Sequence, residues 1–435
     1  MARPEPALHG AAAPRHGRAP ARASRLAILA PFEVRSFRFQ FPADLLTSWG
    51  SEMENLVLGW YVLVATGSVL LLTLFWALQY LGTLLAPVFG MAGDRLGHRR
   101  VICVMRIACV CLALTMTALA LGGALHPAEV FVIATASGLV RSSDQAMRSA
   151  LIGATMPADR LIATMGLSRS TGDSARIAGS LLGAGLFAAY GMATAYVVVT
   201  SFYLTGLLLT FGVAPARPTP LLADAPRLSL WRDLKEGLAC VWDTPASLAA
   251  MWLAFLVNLT AFPLTSGLLP YIARDVYHID ETGLGTLVAS FALGSLLGSI
   301  AISLAGRMIR PARMMLVFAL AWYALLLVFA LMPGPGSGRV MLVLAGLAQS
   351  LSLVPMSVML LHGTAPRFRG RVMGVRMLAI YGVPIGLLLA GTLIGHIGFA
   401  ATATLYCLVG AILTLAIALY WRTALWPRGA PANAR

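Results

Sequence analysis

Charge is scarce in this chain. Of its 435 residues only 11% are Asp, Glu, Lys or Arg, against about 25% in an ordinary soluble domain. Acids number 17, and Lys235 is the single lysine, so the formal charge of +15 rests almost wholly on arginine. Too few polar residues remain to coat a water-facing surface, which argues against a soluble enzyme. The basic residues fall between apolar blocks rather than along one polar face, so no nucleic-acid partner is expected. Cysteine is sparse as well. Cys103, Cys109, Cys111, Cys240 and Cys407 show neither a CxxC nor a ligand spacing, so neither a disulfide framework nor a metal site is expected. Also missing are the GxxxxGK[ST] phosphate loop, HExxH and GxSxG. An ATP-driven pump and a membrane hydrolase are therefore disfavoured, and no cofactor is implied.

Apolar sequence is what the chain has in abundance. Hydrophobic residues make up 59% and the mean hydropathy is +0.81. A helix needs about 20 apolar residues to cross the hydrocarbon core. About twelve such blocks follow one another, at 41–63, 68–92, 101–122, 128–152, 162–188, 192–213, 247–271, 284–305, 313–333, 339–361, 373–395 and 399–421. The expected fold class is an all-α membrane protein. Residues 1–38 read as a disordered basic tail, because Pro31 interrupts the short run Leu26–Phe32 and no cleavage site follows. Residues 39–213 and 247–421 form two six-helix halves, and 422–435 is a second tail. Between the halves, 214–246 is a linker whose Trp231–Leu238 stretch has the pattern of an amphipathic helix at the membrane face.

The halves echo one another. Leu81-Gly82-Thr83-Leu84-Leu85 returns as Leu293-Gly294-Ser295-Leu296-Leu297, an offset of 293 − 81 = 212. Thr155-Met156-Pro157 returns as Thr364-Ala365-Pro366. Duplication is a common origin of transporter halves. Arginine is concentrated in loops on one side: Arg95, Arg99 and Arg100, then Arg160, then Arg217 to Lys235, then Arg307 and Arg310, then Arg367 to Arg371. The positive-inside rule then puts both termini in the cytoplasm.

Gly90-Met91-Ala92-Gly93-Asp94-Arg95-Leu96-Gly97-His98-Arg99-Arg100 joins the second and third blocks. Its glycines allow close helix approach. Its acid and arginines can form a latch that breaks in a second state. Inside the apolar blocks, charge is expensive and so functional or paired by default. In the first block Asp44, Ser48, Glu52 and Asn55 make one polar stripe, while Glu54 lies about 200° from Glu52 at about 100° per residue. Glu52 is therefore the cavity acid of choice, and Glu54 the better structural ion-pair partner. Arg141 and Arg176 lie at a depth that suits them as partners for Glu52. In the fourth block Arg141, Asp144, Gln145 and Arg148 share a face, as do Arg169, Asp173 and Arg176 in the fifth. The two stripes are expected to meet in a charge network, with Asp144 and Asp173 as further proton-carrying candidates. Asn258, Gln349, Ser350, Ser352 and Tyr381 are candidates for the second half's cavity wall.

On these residues the chain resembles the major facilitator superfamily. Gly90, Asp94, Arg95, Gly97 and Arg99 fall on its signature between the second and third helices. Trp49-Gly50-Ser51-Glu52-Met53, Ala65-Thr66-Gly67-Ser68, Lys235-Glu236-Gly237 and Leu268-Leu269-Pro270 are similar to the bacterial branch with the enterobactin exporter and macrolide-efflux proteins. The resemblance covers nearly all of 36–421. It implies twelve helices, alternating access, and export usually driven by proton entry. The family's fifth-helix efflux pattern is matched by the packing pair Gly179 and Gly183, with Ser180 where that pattern carries proline. The reading is thus a secondary transporter of a bacterial inner membrane, monomeric, exchanging protons for a small amphipathic substrate such as a siderophore-like compound or drug. An importer or lysophospholipid flippase on the same fold is the first alternative. A transport-inactive scaffold or sensor is the second.

Overall fold

The computed structural model describes residues 30–141, 143–157, 160–214, 230–305, 310–362 and 369–426. Nearly all of them are helical, and no strand occurs among the described residues. The helices form twelve rods. The first is Arg35–Thr66, the second 69–96, the third His98–Leu121, the fourth 127–155, the fifth 161–190 and the sixth 192–210. After the linker helix Leu230–Trp242 come the seventh at 245–276, Glu281–Ala305, Pro311–Ala330, Pro335–His362, the eleventh at 369–397, and Phe399–Tyr420. An even number of rods leaves both ends of the bundle's chain on one side. Residues 1–29 and 427–435, expected as tails, lie outside the described residues, as does 215–229 of the linker.

Eight stretches among the described residues are both long and apolar enough to cross a membrane, one of them the fused fifth and sixth rods, Thr171–Thr210. The first, second and fourth rods are missing from that set for physical reasons. The first holds Arg35, Arg38, Asp44, Glu52 and Glu54. The second changes to a 3-10 turn at Tyr80–Leu85. The fourth breaks after Arg141 and restarts at Asp144. The rods least suited to lipid by composition are those that carry charge into the interior. The first rod also begins at Arg35, earlier than the apolar run at 41, because its first turns bury Phe37 and Asp44 against protein.

Two tight hairpins show the relation of the halves. Gly191 (φ 77°) joins the fifth and sixth rods, and Gly398 (φ 79°) joins the eleventh and twelfth. Only glycine takes that left-handed backbone at little cost. The same relation governs packing. A Cβ at Gly179 would stand 2.9 Å from the Trp49 carbonyl oxygen, and one at Gly183 would stand 3.0 Å from Met53 Cα. In the second half a Cβ at Gly382 would stand 2.8 Å from the Phe255 carbonyl oxygen, and Gly386 meets Leu259. The glycine offsets are 382 − 179 = 203 and 386 − 183 = 203. The fifth rod therefore seats on the first as the eleventh seats on the seventh, each through a Gly-x-x-x-Gly face.

Candidate functional site

The halves touch at the end away from the termini. Arg274, near the end of the seventh rod, donates to the Leu63 carbonyl at 2.8 Å, in the last turns of the first. Gly285 of the eighth rod lies against Ser180 and Ala184 of the fifth, and Gly391 of the eleventh lies against Leu70 and Thr73 of the second. Small residues at these crossings let the backbones approach. A charge-assisted bond such as that of Arg274 is worth about 1.5–3 kcal/mol. We expect Arg274→Ala to raise the fraction open at this end by about tenfold or more, read as faster labelling of a cysteine placed at Thr66 by an impermeant thiol reagent. Unchanged labelling would remove Arg274 from the closure.

On the terminal side of that contact lie three adjoining cavities of about 410, 260 and 370 Å³. Tyr80 lines all three, so they form one chamber around the bend in the second rod. Its two walls differ in chemistry. The first half offers Ser48, Glu52, Asn55, Arg141, Asp144, Gln145 and Arg148. The second offers mostly apolar groups such as Ala254, Phe262, Leu353, Met356, Ile380 and Val383, with Asn258, Thr265, Ser266 and Arg376 as its polar members.

Beside the first wall lies a buried charge cluster. Asp44, only 3% exposed, is ion-paired with Arg106. Arg148 Nε lies 3.5 Å from the same Asp44 carboxylate oxygen. Arg148 also pairs with Asp144 and donates to Ser48 Oγ at 2.7 Å. Arg106 donates to the Gly206 carbonyl at 3.1 Å and reaches Thr210. The cluster thus ties the first, third, fourth and sixth rods together. No stripe or motif in the sequence points to Arg106, although it is buried at 3% exposure within an apolar span.

Glu54, 2% exposed, takes a separate set of partners. It accepts from the Tyr203 hydroxyl at 2.6 Å, from Ser137 at 3.4 Å and from Arg141 at 3.3 Å. Arg141 also donates to Asn55 Oδ1 at 3.0 Å. Depth along the helix suggests Arg141 as a partner for Glu52; the structure gives it to Glu54 and Asn55 instead. A guanidinium is long enough to reach the side of the first rod on which Glu54 sits.

Glu52 stands apart. It lines both the 410 and the 260 Å³ cavities. Among the described residues its carboxylate makes no hydrogen bond and no ion pair. The fifth rod closes over it, since a Cβ at Gly179 would stand 3.0 Å from Glu52 Cβ. Arg176 lines the 260 Å³ cavity, while Gly172 and Ala175 of the same rod line the larger one. Neither Asp173 nor Arg176 is ion-paired among the described residues, so the expected joining of the fourth- and fifth-rod stripes is not formed through them. Regular α winding ends at Ser174, and a π turn at Ala175–Gly179 takes over at Arg176. The side chain of Arg169 lies outside the described residues.

In the loop between the second and third rods, Gly97 (φ 89°) makes the turn. Arg99 donates to the Phe211 carbonyl at 2.7 Å, at the exposed C-terminal end of the sixth rod, where a cation is favoured. A Cβ at Gly90 would meet nothing within 4 Å, and Arg95 is exposed. The Asp94 side chain lies outside the described residues. In the second half Tyr381 reaches the first half, its hydroxyl accepting from Thr83 at 2.7 Å. Gln349, Ser350 and Ser352 line none of these three cavities. Gln349 accepts from Ser295 at 2.9 Å, Ser350 donates to the Ser295 carbonyl at 2.7 Å, and Ser352 donates to the Met315 carbonyl at 2.8 Å. They join rods inside the second half, where a polar face suits packing as well as it suits a cavity.

Comparison with known proteins agrees with this architecture. The Major Facilitator Superfamily pattern matches residues 40–383 and 251–434. The multidrug efflux pump Tap of Mycolicibacterium fortuitum is 26% identical over 373 residues, which cover 83% of this chain and 89% of Tap. A bacterial homologue of the human lysosomal transporter Spinster, solved in an inward-facing and unoccupied conformation, superposes with a TM-score of 0.68 at 14% identity. The match covers 94% of this chain and all of that one. A D-xylose–proton symporter superposes with a TM-score of 0.66 at 12% identity, over 87% of this chain and 96% of that one.

Proposed function

This chain belongs to the Major Facilitator Superfamily, a multi-pass membrane transporter family, and on that premise we propose that it exports a small amphipathic molecule in exchange for protons. The observation that supports this most is the Glu52 carboxylate, without an ion pair among the described residues, in a chamber between two halves that meet at the Arg274–Leu63 contact. The relative Tap is named as an efflux pump, and the chamber's polar and apolar walls suit a substrate with one face of each kind. Fold alone does not set direction, since a sugar–proton symporter shares it.

In this reading Glu52 carries the proton, with Asp144 and Asp173 as the remaining acids of the interior. The network of Asp44, Glu54, Arg106, Arg141 and Arg148 holds the first half rigid. The loop with Gly90, Asp94, Arg95, Gly97 and Arg99 latches the terminal side in the other state. The closed end then faces the periplasm of a bacterial inner membrane, and the structure corresponds to an inward-facing monomer. The halves are 39–213 and 247–421, joined by a cytoplasmic linker.

Orientation has a direct check. Ala239 is exposed on the linker helix Leu230–Trp242. Ala239→Cys in a cysteine-free background should resist an impermeant thiol reagent outside spheroplasts and react after permeabilisation. Ready labelling from outside would reverse the topology. Function is tested in proteoliposomes loaded with a fluorescent amphipathic cation. Transport that follows an imposed proton gradient supports exchange. Transport indifferent to the gradient points to lipid-like flipping, and no transport of any solute supports a scaffold.

A further inference from the structure

Among the described first-half residues in and beside the chamber, not every charge has a partner. Asp44, Glu54 and Asp144 are paired with Arg106, Arg141 and Arg148. Glu52 and Arg176 are left. Both line the same 260 Å³ cavity, and neither makes a side-chain hydrogen bond or ion pair among the described residues, with each other or with any third group. Tyr80 lines that cavity with them. Asp173 of the fifth rod is also without an ion pair among the described residues, and it lines none of the three cavities.

An unpaired charge within a membrane is costly, so two opposite charges that line one cavity without bonding each other are suited to a ligand that satisfies both. Gly179 seats the fifth rod against Trp49 and Glu52 of the first. Arg176 lies in the π turn at Ala175–Gly179. The rest of the wall is mixed: Asn55, Tyr80, Thr265 and Ser266 are polar, while Leu269, Leu284, Val288 and Phe291 of the seventh and eighth rods give it an apolar side, with Trp76 shared with the larger cavity.

Resting on the transport reading above, we propose that Glu52 and Arg176 are the two poles of a binding site for a zwitterionic headgroup, with the ligand's ammonium at Glu52 and its carboxylate at Arg176. The planar guanidinium offers a carboxylate two parallel hydrogen bonds. A carboxylate such as Glu52 receives an ammonium as a point charge. A ligand carrying only one of these charges leaves the other pole unsatisfied, so the cavity selects for both together. The ligand's apolar body lies against Leu269, Val288 and Phe291 and extends into the larger chamber. Protonation of Glu52 removes the ammonium's partner, so proton and ligand compete for one carboxylate while Arg176 continues to hold the other end.

The test uses the full-length protein in nanodiscs and three probes with one apolar body. Nε-dansyl-lysine is zwitterionic, its methyl ester is cationic, and its Nα-acetyl form is anionic. Energy transfer from tryptophan to dansyl reports binding, because Trp76 lines the cavity. The zwitterion is expected to bind at least tenfold more tightly than either singly charged probe. Glu52→Gln should bring it down to the level of the anionic probe, and Arg176→Gln to that of the cationic one. Arg176→Lys, which keeps the charge but not the planar fork, should retain a reduced preference. Equal affinity for all three probes, failure of the zwitterion to bind, or a uniform weakening of all three in either variant would overturn the site. The headgroup series on the unaltered protein needs no variant to fold. Gradient-driven export, measured on the same purified protein reconstituted into proteoliposomes, separates the two ideas: export without headgroup preference sinks the zwitterion site alone, whereas absence of export sinks the transport reading.

Discussion

Asp44→Asn is expected to yield a protein that inserts but unfolds readily. Asp44 is buried between Arg106 and Arg148, and removing one member of a buried ion pair leaves the other charge without compensation, at a cost of about 3–5 kcal/mol. That is a large share of the roughly 5–15 kcal/mol that holds a typical fold. The pattern of rescue is specific. Arg148 keeps Asp144 and Ser48 when Asp44 is neutralised, so the stranded charge is Arg106. Asp44→Asn with Arg106→Met should recover much of the stability, whereas Asp44→Asn with Arg148→Met should recover none, because it strands Asp144 as well. Asp144→Asn alone should be milder, since its side chain is 15% exposed and Arg148 retains Asp44. Thermal unfolding of the purified variants, followed by size-exclusion chromatography, measures all of this. Strictly additive losses across the double variants would show that the four groups do not act as one unit.

The twelve rods are legible in the sequence because lipid imposes a length and a composition on each. The break between the fifth and sixth is legible as well, since Gly191 is the kind of residue a tight hairpin needs. Pairing within the interior is much less so. Arg106 and Asp44 are 62 residues apart, and no local spacing relates them. Arg106 is a lone charge in an otherwise apolar block, and that isolation is the one signal the sequence holds for it. The stripe through Arg169, Asp173 and Arg176 assumes 3.6 residues per turn, and a π turn that begins at Ala175 departs from that winding at Arg176. Nothing in the letters Ala-Arg-Ile-Ala-Gly announces that turn. Gly179 and Gly183 have a counterpart in Gly382 and Gly386, but the echoes in the loops do not lead to it, and Pro384 sits in one copy where Leu181 sits in the other. What survives between the halves is the spacing of the glycines, because that is what backbone contact requires.

Glu52→Gln is expected to abolish proton-driven export while leaving exchange of substrate down its own gradient. The glutamine keeps the shape and the hydrogen-bonding reach of the acid but cannot gain or lose a proton. Glu52 is suited to carry one because it lines the chamber and its carboxylate makes no ion pair among the described residues. Alternating access changes what that carboxylate faces: water and protons in one state, substrate or the closing second half in the other. Glu54 makes the informative contrast. Two residues along the same rod, it is held by Tyr203, Ser137 and Arg141 in both its oxygens, so Glu54→Gln should lower stability while the surviving protein still couples export to the proton gradient. The two variants should thus differ in kind as well as degree. In proteoliposomes, an imposed pH step drives dye accumulation for the unaltered protein; Glu52→Gln should reduce that rate at least a hundredfold, to background, with dye counterflow persisting at neutral pH on both sides. Full pH-driven accumulation by Glu52→Gln would shift the proton to Asp144 or Asp173. Glu52 also serves as the proposed ammonium pole, so counterflow should persist with a raised substrate requirement; its complete loss would make the Glu52 carboxylate indispensable for binding and leave its part in proton coupling unsupported.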